Sequence, residues 1–130
     1  MATIKEEKKF EPVVKVETKF DPPALKVNKR NEATMYITVG LEYGQKSYWC
    51  ECDINVNAPL SLAHDKDLNL GRTRVGILKA KRMIEKQVKL YTKPSSYADN
   101  YPISITAYLY DEDGTIAERV VHEESIRCEL

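Results

Sequence analysis

The sequence has little of what catalytic and metal centres are usually built from. It holds only two histidines and three cysteines in 130 residues, and an odd number of cysteines does not form a framework of disulfides. Neither histidine lies at metal-ligand spacing from a cysteine. There is no Gly-x-Ser-x-Gly elbow and no glycine-rich phosphate loop. We therefore predict no catalytic residue, no metal site and no cofactor.

Long apolar runs are also missing. The first residues are charged, as a secretion signal is not, and no stretch approaches the roughly 20 apolar residues of a membrane span. The 20 Lys and Arg balance the 20 Asp and Glu, so the formal net charge is zero. No overall attraction to nucleic acid or to anionic membranes is expected from such a chain. These features favour a cytoplasmic protein that does not bind membranes.

The length and composition predict one folded domain. Apolar residues make up 42% of the chain and charged residues 31%, which is typical of a globular protein. Residues 1–11 are charged and lack periodicity, so we interpret them as a flexible tail. Residues 12–130 are then a single domain, a size at which no disulfide or metal is needed for folding.

Alternation of apolar and polar side chains is the strongest signal along the chain. A strand buried on one face requires this period of two, because successive side chains leave opposite faces. The pattern predicts strands at 13–18, 35–41, 48–56, 83–91, 103–110 and 115–122, the last extending as far as 128. A further short strand is placed at either 68–70 or 73–78.

The stretch 78–91 is the ambiguous part of this interpretation. Ile77, Ile84, Val88 and Tyr91 fall at helical spacing, whereas 84, 86, 88 and 90 share strand parity with one long polar member, Lys86. We favour a strand because its end is rich in strand-forming residues and strands surround it. A helix is the alternative.

The last third of the chain predicts a hairpin. Ile103, Ile105, Ala107 and Leu109 share one parity, and the turn 111–114 ends in Gly114, which is free to take a positive φ. A solvated turn is favoured over a calcium loop, because further calcium ligands are missing. About seven strands separated by turns predict an all-β fold, an immunoglobulin-like antiparallel sandwich.

Several segments resemble known sandwich domains. Val-Gly-Ile-Leu at 75–78, Val-Lys-Leu-Tyr at 88–91, Tyr-Pro-Ile-Ser-Ile-Thr-Ala-Tyr at 101–108 and Tyr-Asp-Glu-Asp-Gly at 110–114 resemble the second half of fibronectin-like and CARDB-type domains. CARDB is a cell-adhesion-related domain of bacteria and archaea, with a Gly-x-Leu corner before its fifth strand. A Pro-Gly pair usually follows that leucine, whereas residues 79–82 here are Lys-Ala-Lys-Arg. The resemblance covers residues 13–122 and implies a binding or spacer module.

The cysteines have a structural and a chemical interpretation. Cys50, Cys52 and Cys128 supply enough thiolates for a soft metal ion. However, Cys50 and Cys52 share the parity of Ile54 and Val56, and free cysteine packs as a small hydrophobic residue. We predict that both face the core.

Charge is unevenly distributed along the chain. Residues 72–93 hold eight cations against one acid, and residues 111–130 hold seven acids against two arginines. In an immunoglobulin-like topology the fifth strand and the last two strands lie in different sheets, which predicts one basic and one acidic face. The alternative is an ordinary solvated surface with edge lysines.

We predict an interaction surface that includes Trp49, which has the outward parity and is suited to anchor an interface. Packing of Trp49 beneath a loop or the N-terminal tail is the alternative. The leading functional hypothesis is a non-enzymatic module that binds a protein partner or associates with itself. The second hypothesis is polyanion or nucleic-acid binding through the basic segment 72–93. The candidate surface comprises Trp49, Arg72, Arg74, Lys79, Lys81, Arg82 and Lys86.

Overall fold

A computed structural model describes residues 12–27, 31–43, 46–93 and 97–130. The predicted tail, residues 1–11, lies outside the described residues. The described residues form nine strands: β1 (Val13–Asp21), β2 (Ala24–Lys26), β3 (Asn31–Tyr43), β4 (Tyr48–Val56), β5 (Leu60–Ser61), β6 (Leu70–Leu78), β7 (Met83–Thr92), β8 (Asp99–Tyr110) and β9 (Ile116–Glu129). Within these ranges no helix is long and apolar enough to cross a membrane.

The strands form two sheets that pack face to face. One sheet has the order β1-β3-β7-β5 and the other has the order β2-β9-β8-β4-β6. Neighbouring strands are antiparallel apart from β2, which runs parallel to the end of β9. The predicted all-β sandwich is confirmed, and β7 lies in a different sheet from β8 and β9, as an immunoglobulin-like strand order requires.

The predicted number of strands, about seven, was too low by two. The additional strands are β2, with three residues, and β5, with two. Neither is long enough to show a period of two, and each is recognisable only from what it pairs with. Leu25 of β2 is fully buried beside the end of β9, so a short strand can still contribute to the core.

The core is filled by the inward side chains of both sheets. In β3 these include Met35, Ile37 and Val39, and in β8 they include Ile105 and Leu109; each of these five is at most 1% exposed. Most of their neighbours in the two strands are partly exposed, whereas Gly40, beside Val39, is buried. This alternation confirms the parity on which the prediction of the sandwich depended.

Residues 83–92 form a strand, so the alternative of a helix was wrong. β7 pairs with β3 over its whole length, with Lys86 opposite the buried Ile37. Lys86 therefore points towards the interior side of the sheet while remaining partly exposed, as a long lysine stem near a sheet edge can. Lys86 is polar at a position where the strand pattern requires an apolar residue, but it does not interrupt the strand.

A bulge in β6 changes which side chains at the end of that strand face the core. The register with β4 shifts where Cys50 pairs with Gly76 and Glu51 pairs with Arg74, which leaves Val75 as the extra residue. Gly76 has a φ of 121°, which is unfavourable for other residues. After the bulge Leu78 is buried and Ile77 is 58% exposed, so Ile77 lies on the outer face beside Trp49.

The predicted hairpin joins β8 and β9. The Gly114 amide donates to the Asp111 carbonyl at 2.9 Å, and the Asp111 amide donates to the Thr115 carbonyl at 2.8 Å. Gly114 takes a φ of 85°. The same turn places Asp111 and Glu112 at one end of the five-stranded sheet, next to the exposed end of β4.

Candidate functional site

The structure distributes the predicted interaction residues over several surfaces. Trp49 on β4 and Arg72 and Arg74 on β6 lie on the outer face of the five-stranded sheet. The remaining four do not join them. Lys79, Lys81 and Arg82 lie in the connection between the two sheets, and Lys86 lies on β7 of the other sheet.

The predicted basic face is not formed, so that prediction was wrong. The outer face of the four-stranded sheet carries acids and lysines together, and several of them pair: Lys15 with Glu17 at 3.1 Å, and Lys89 with Glu32 at 3.5 Å. Arg72 and Arg74 of the basic segment lie on the five-stranded sheet instead. The charges counted along residues 72–93 do not form one face for two reasons. The segment passes from one sheet to the other after β6, and successive side chains of each strand point to opposite faces of the sheet.

Trp49 is the centre of a row of large side chains across three strands. In the register of the sheet it pairs with Ile77 of β6 on one side and with Tyr110 of β8 on the other. The indole is 40% exposed, and its Nε1 donates a hydrogen bond to Glu51 Oε2 at 2.6 Å. The outward parity predicted for Trp49 is confirmed.

Arg72 ties this row to the adjacent acids. Its Nε and Nη2 donate to the two carboxylate oxygens of Asp53 at 2.6 and 3.0 Å, while Nη1 donates to Glu51 Oε1 at 3.1 Å. This paired geometry is the strongest that arginine makes with a carboxylate. Glu51 thus links the indole to the guanidinium through hydrogen bonds to both.

Two tyrosines complete the surface. The rings of Tyr108 and Tyr110 stack with centroids 6.2 Å apart, and the Arg72 guanidinium lies 5.4 Å from the centre of the Tyr108 ring. Trp, Tyr and Arg are the residues that most often dominate the energy of a protein interface. We call this surface the tryptophan face: Trp49, Glu51, Asp53, Arg72, Ile77, Tyr108 and Tyr110.

A groove runs beside Trp49 at the hairpin end of the face. It has a volume of about 360 Å³ and is lined by Ser47, Tyr48, Trp49, Ile77, Tyr110, Asp111 and Glu112. At its rim the Lys46 ammonium lies 2.6 Å from Asp111 Oδ1 and 5.6 Å from the centre of the Tyr48 ring. The hydrogen bond to Asp111 raises the pKa of Lys46, so this lysine stays charged.

The Asp53–Arg72 pair predicts a pH-dependent contribution to stability. The hydrogen bond from Arg72 lowers the pKa of Asp53, so the pair stabilises the fold above about pH 4 and this contribution is lost as the pH falls through the folded pKa. Because both side chains are partly exposed, we expect Asp53→Asn to lower the free energy of unfolding by about 0.5–1 kcal/mol at neutral pH. Urea titrations at neutral pH and at about pH 2 should show this difference shrinking in acid.

Asp21→Asn, which removes an exposed carboxylate at the end of β1, is the matched control and should change stability little at either pH. An equal loss in both variants at neutral pH would contradict the role given to the pair.

The cysteines lie in the core. Cys50 and Cys52 are fully buried, as predicted from their parity, and so is Cys128; none of the three forms a disulfide. A hydrogen bond with Cys52 and then burial raise the pKa of the Cys50 thiol, which keeps it neutral and unreactive. Within the described residues no group of three or more His, Cys, Asp or Glu is placed to hold a metal ion.

A polar cluster between β1 and β9 has the residue types of a catalytic relay but not its geometry. Thr18 Oγ1 donates to Glu124 Oε2 at 3.0 Å and lies 3.4 Å from His122 Nε2. The Glu124 carboxylate lies 3.8 Å from the same ring nitrogen. A relay requires the nucleophile and the acid on opposite ring nitrogens, so this cluster is a polar contact between the two sheets.

No family model matches this chain, and no curated protein matches it. The assignment of a function therefore depends on the geometry described above, and the resemblance to CARDB-type domains stays a prediction.

Proposed function

We propose that this protein is a non-enzymatic module that binds a partner protein through the tryptophan face. The observation that carries the proposal is Trp49. A large aromatic side chain is 40% exposed on a sheet while its indole N–H is hydrogen-bonded to Glu51. An interface anchor requires this combination of exposed apolar area and fixed orientation.

The surroundings of Trp49 support the same function. The hydrogen bonds of Arg72 to Asp53 and Glu51 and its position over Tyr108 limit the side-chain freedom of the surface. Less conformational entropy is then lost on binding, so more of the contact energy appears as affinity. The exposed Ile77 extends the apolar area beside the indole.

The second hypothesis, polyanion binding through residues 72–93, receives less support. Nucleic-acid binding needs a continuous row of cations that follows the phosphates. Here Arg72 is engaged by two carboxylates, and the other cations of the segment are divided between two sheets and their connection. We therefore favour a protein partner.

Capture from native extract with matched variants tests the proposal. Wild type, Trp49→Ala and Met83→Ala are immobilised at equal density, and bound proteins are quantified by mass spectrometry. Met83 is the control because it is 73% exposed on the outer face of the other sheet. Truncation of a central tryptophan should reduce binding of the partner at least about tenfold, whereas Met83→Ala should bind as wild type does.

Only a protein whose capture depends on Trp49 counts in favour. If that protein is this chain itself, sedimentation should show a dimer of wild type that Trp49→Ala lacks. Equal capture by wild type and Trp49→Ala would exclude the tryptophan face as the binding surface. Trp49 and Met83 both lie outside the buried core, so cooperative thermal unfolding should show that both variants remain folded.

A further inference from the structure

We infer that the groove beside Trp49 binds a cationic side chain, lysine or arginine, of the partner protein. This inference rests on the proposed function and specifies the chemistry of the partner. The groove has an aromatic wall formed by Trp49 and Tyr110, an aliphatic wall formed by Ile77, and an acidic end.

The charges of the groove favour a cation. Among the described residues that line it, the charged ones are Asp111 and Glu112, both acids. Both belong to the β8–β9 turn, which the hydrogen bonds of Asp111 with Gly114 and Thr115 hold in place. A groove with aromatic walls and carboxylates at its end suits a lysine or arginine side chain. The aliphatic part of that side chain packs along the walls, and its charged group is attracted by the carboxylates and by the faces of aromatic rings.

The protein already contains an internal example of this contact. Lys46 reaches the rim of the groove, with its ammonium 2.6 Å from Asp111 and 5.6 Å from the centre of the Tyr48 ring. Its side chain is 56% exposed, so it occupies the rim and does not fill the groove. Lys46 therefore competes with an incoming cation for Asp111, and its removal should strengthen binding.

Fluorescence anisotropy with labelled octalysine, octaarginine and octaglutamate peptides tests the inference on the full chain at an ionic strength of about 0.15 M. Wild type should bind both cationic peptides at submillimolar concentrations and not octaglutamate. Trp49→Ala should weaken this binding about three- to thirtyfold. Glu112→Gln should weaken it about two- to fivefold, and Lys46→Ala should strengthen it about twofold or more.

Two control variants separate the groove from general charge effects. Glu123→Gln removes a carboxylate from the outer face of the same sheet, on β9 opposite Ser104. Lys89→Ala removes a lysine that is paired with Glu32 on the other sheet, at 3.5 Å. Each should change octalysine affinity by less than about twofold, because an exposed charge outside the groove is largely screened by salt from a peptide bound in it.

Three results would overturn the inference: no binding of cationic peptides to wild type, equal effects of Glu112→Gln and Glu123→Gln, or equal effects of Lys46→Ala and Lys89→Ala. None of them would overturn the proposed function, which depends on Trp49-dependent capture of a protein. The converse result is also distinguishable. If wild type binds octalysine as predicted but Trp49→Ala captures the partner as well as wild type does, the groove binds a cation and the proposed interface is rejected.

Discussion

Ile105→Ala should lower the free energy of unfolding by about 2–5 kcal/mol. Ile105 is fully buried and lies on β8, the middle strand of the five-stranded sheet, between Ile54 of β4 and His122 of β9. The alanine leaves a cavity that the surrounding strands cannot close, because their positions are fixed by backbone pairing on both sides. Urea unfolding followed by the fluorescence of Trp49, the single tryptophan, measures the loss.

Ile116→Ala is the matched control, since it makes the same chemical change at a side chain that is 56% exposed. We expect it to alter stability by less than about 0.5 kcal/mol. Similar losses in the two variants would mean that Ile105 does not occupy the interior of the sandwich.

Gly76→Ala should lower the free energy of unfolding by about 1–3 kcal/mol. The expected loss comes from the backbone and not from crowding. A Cβ at this position would meet Ile84 Cδ1 at an ordinary 3.7 Å, whereas the φ of 121° is one that alanine avoids. Alanine should therefore force the bulge of β6 to shift, and Ile77 should move away from Trp49. Urea unfolding and the capture experiment should both report the change.

Gly71→Ala on the same strand separates this effect from the general effect of adding a methyl group. Its Cβ would approach Leu62 Cδ1, the end of a flexible side chain, at 3.1 Å, without a positive φ. We expect a change below about 1 kcal/mol, because the reduced freedom of the unfolded chain offsets the local adjustment. A loss at Gly71 as large as that at Gly76 would argue against the role of the bulge.

Much of the fold could be predicted from the sequence because alternation records which face of a strand is buried. The period of two in 48–56 and 103–110 was sufficient to place Cys50, Cys52 and Ile105 in the core and Trp49 outside. The bulge at Gly76 was not predictable in this way. A bulge changes the parity within one strand, so only the partner strand shows where the change occurs.

The site was predicted only in part, because its residues come together through strand pairing. Trp49 and Arg72 were named from the sequence, but their link through Glu51 depends on the register between β4 and β6. Tyr108 and Tyr110 have the outward parity in the sequence, yet nothing there shows that β8 lies beside β4. Lys79, Lys81, Arg82 and Lys86 were included because they are close in sequence, and the change of sheet after β6 separates them from the face.

Site-specific photo-crosslinking in native extract tests most directly whether the tryptophan face is the binding surface. A photoreactive residue is placed at position 74, which lies beside Glu51 at the edge of the tryptophan face, or at position 87, which lies on the outer face of the opposite sheet. We predict that position 74 crosslinks to one partner. Excess unlabelled wild type, added as a competitor, should suppress these crosslinks, whereas excess Trp49→Ala should not. Crosslinks to that partner from position 87 alone, or equal suppression by both competitors, would contradict the account.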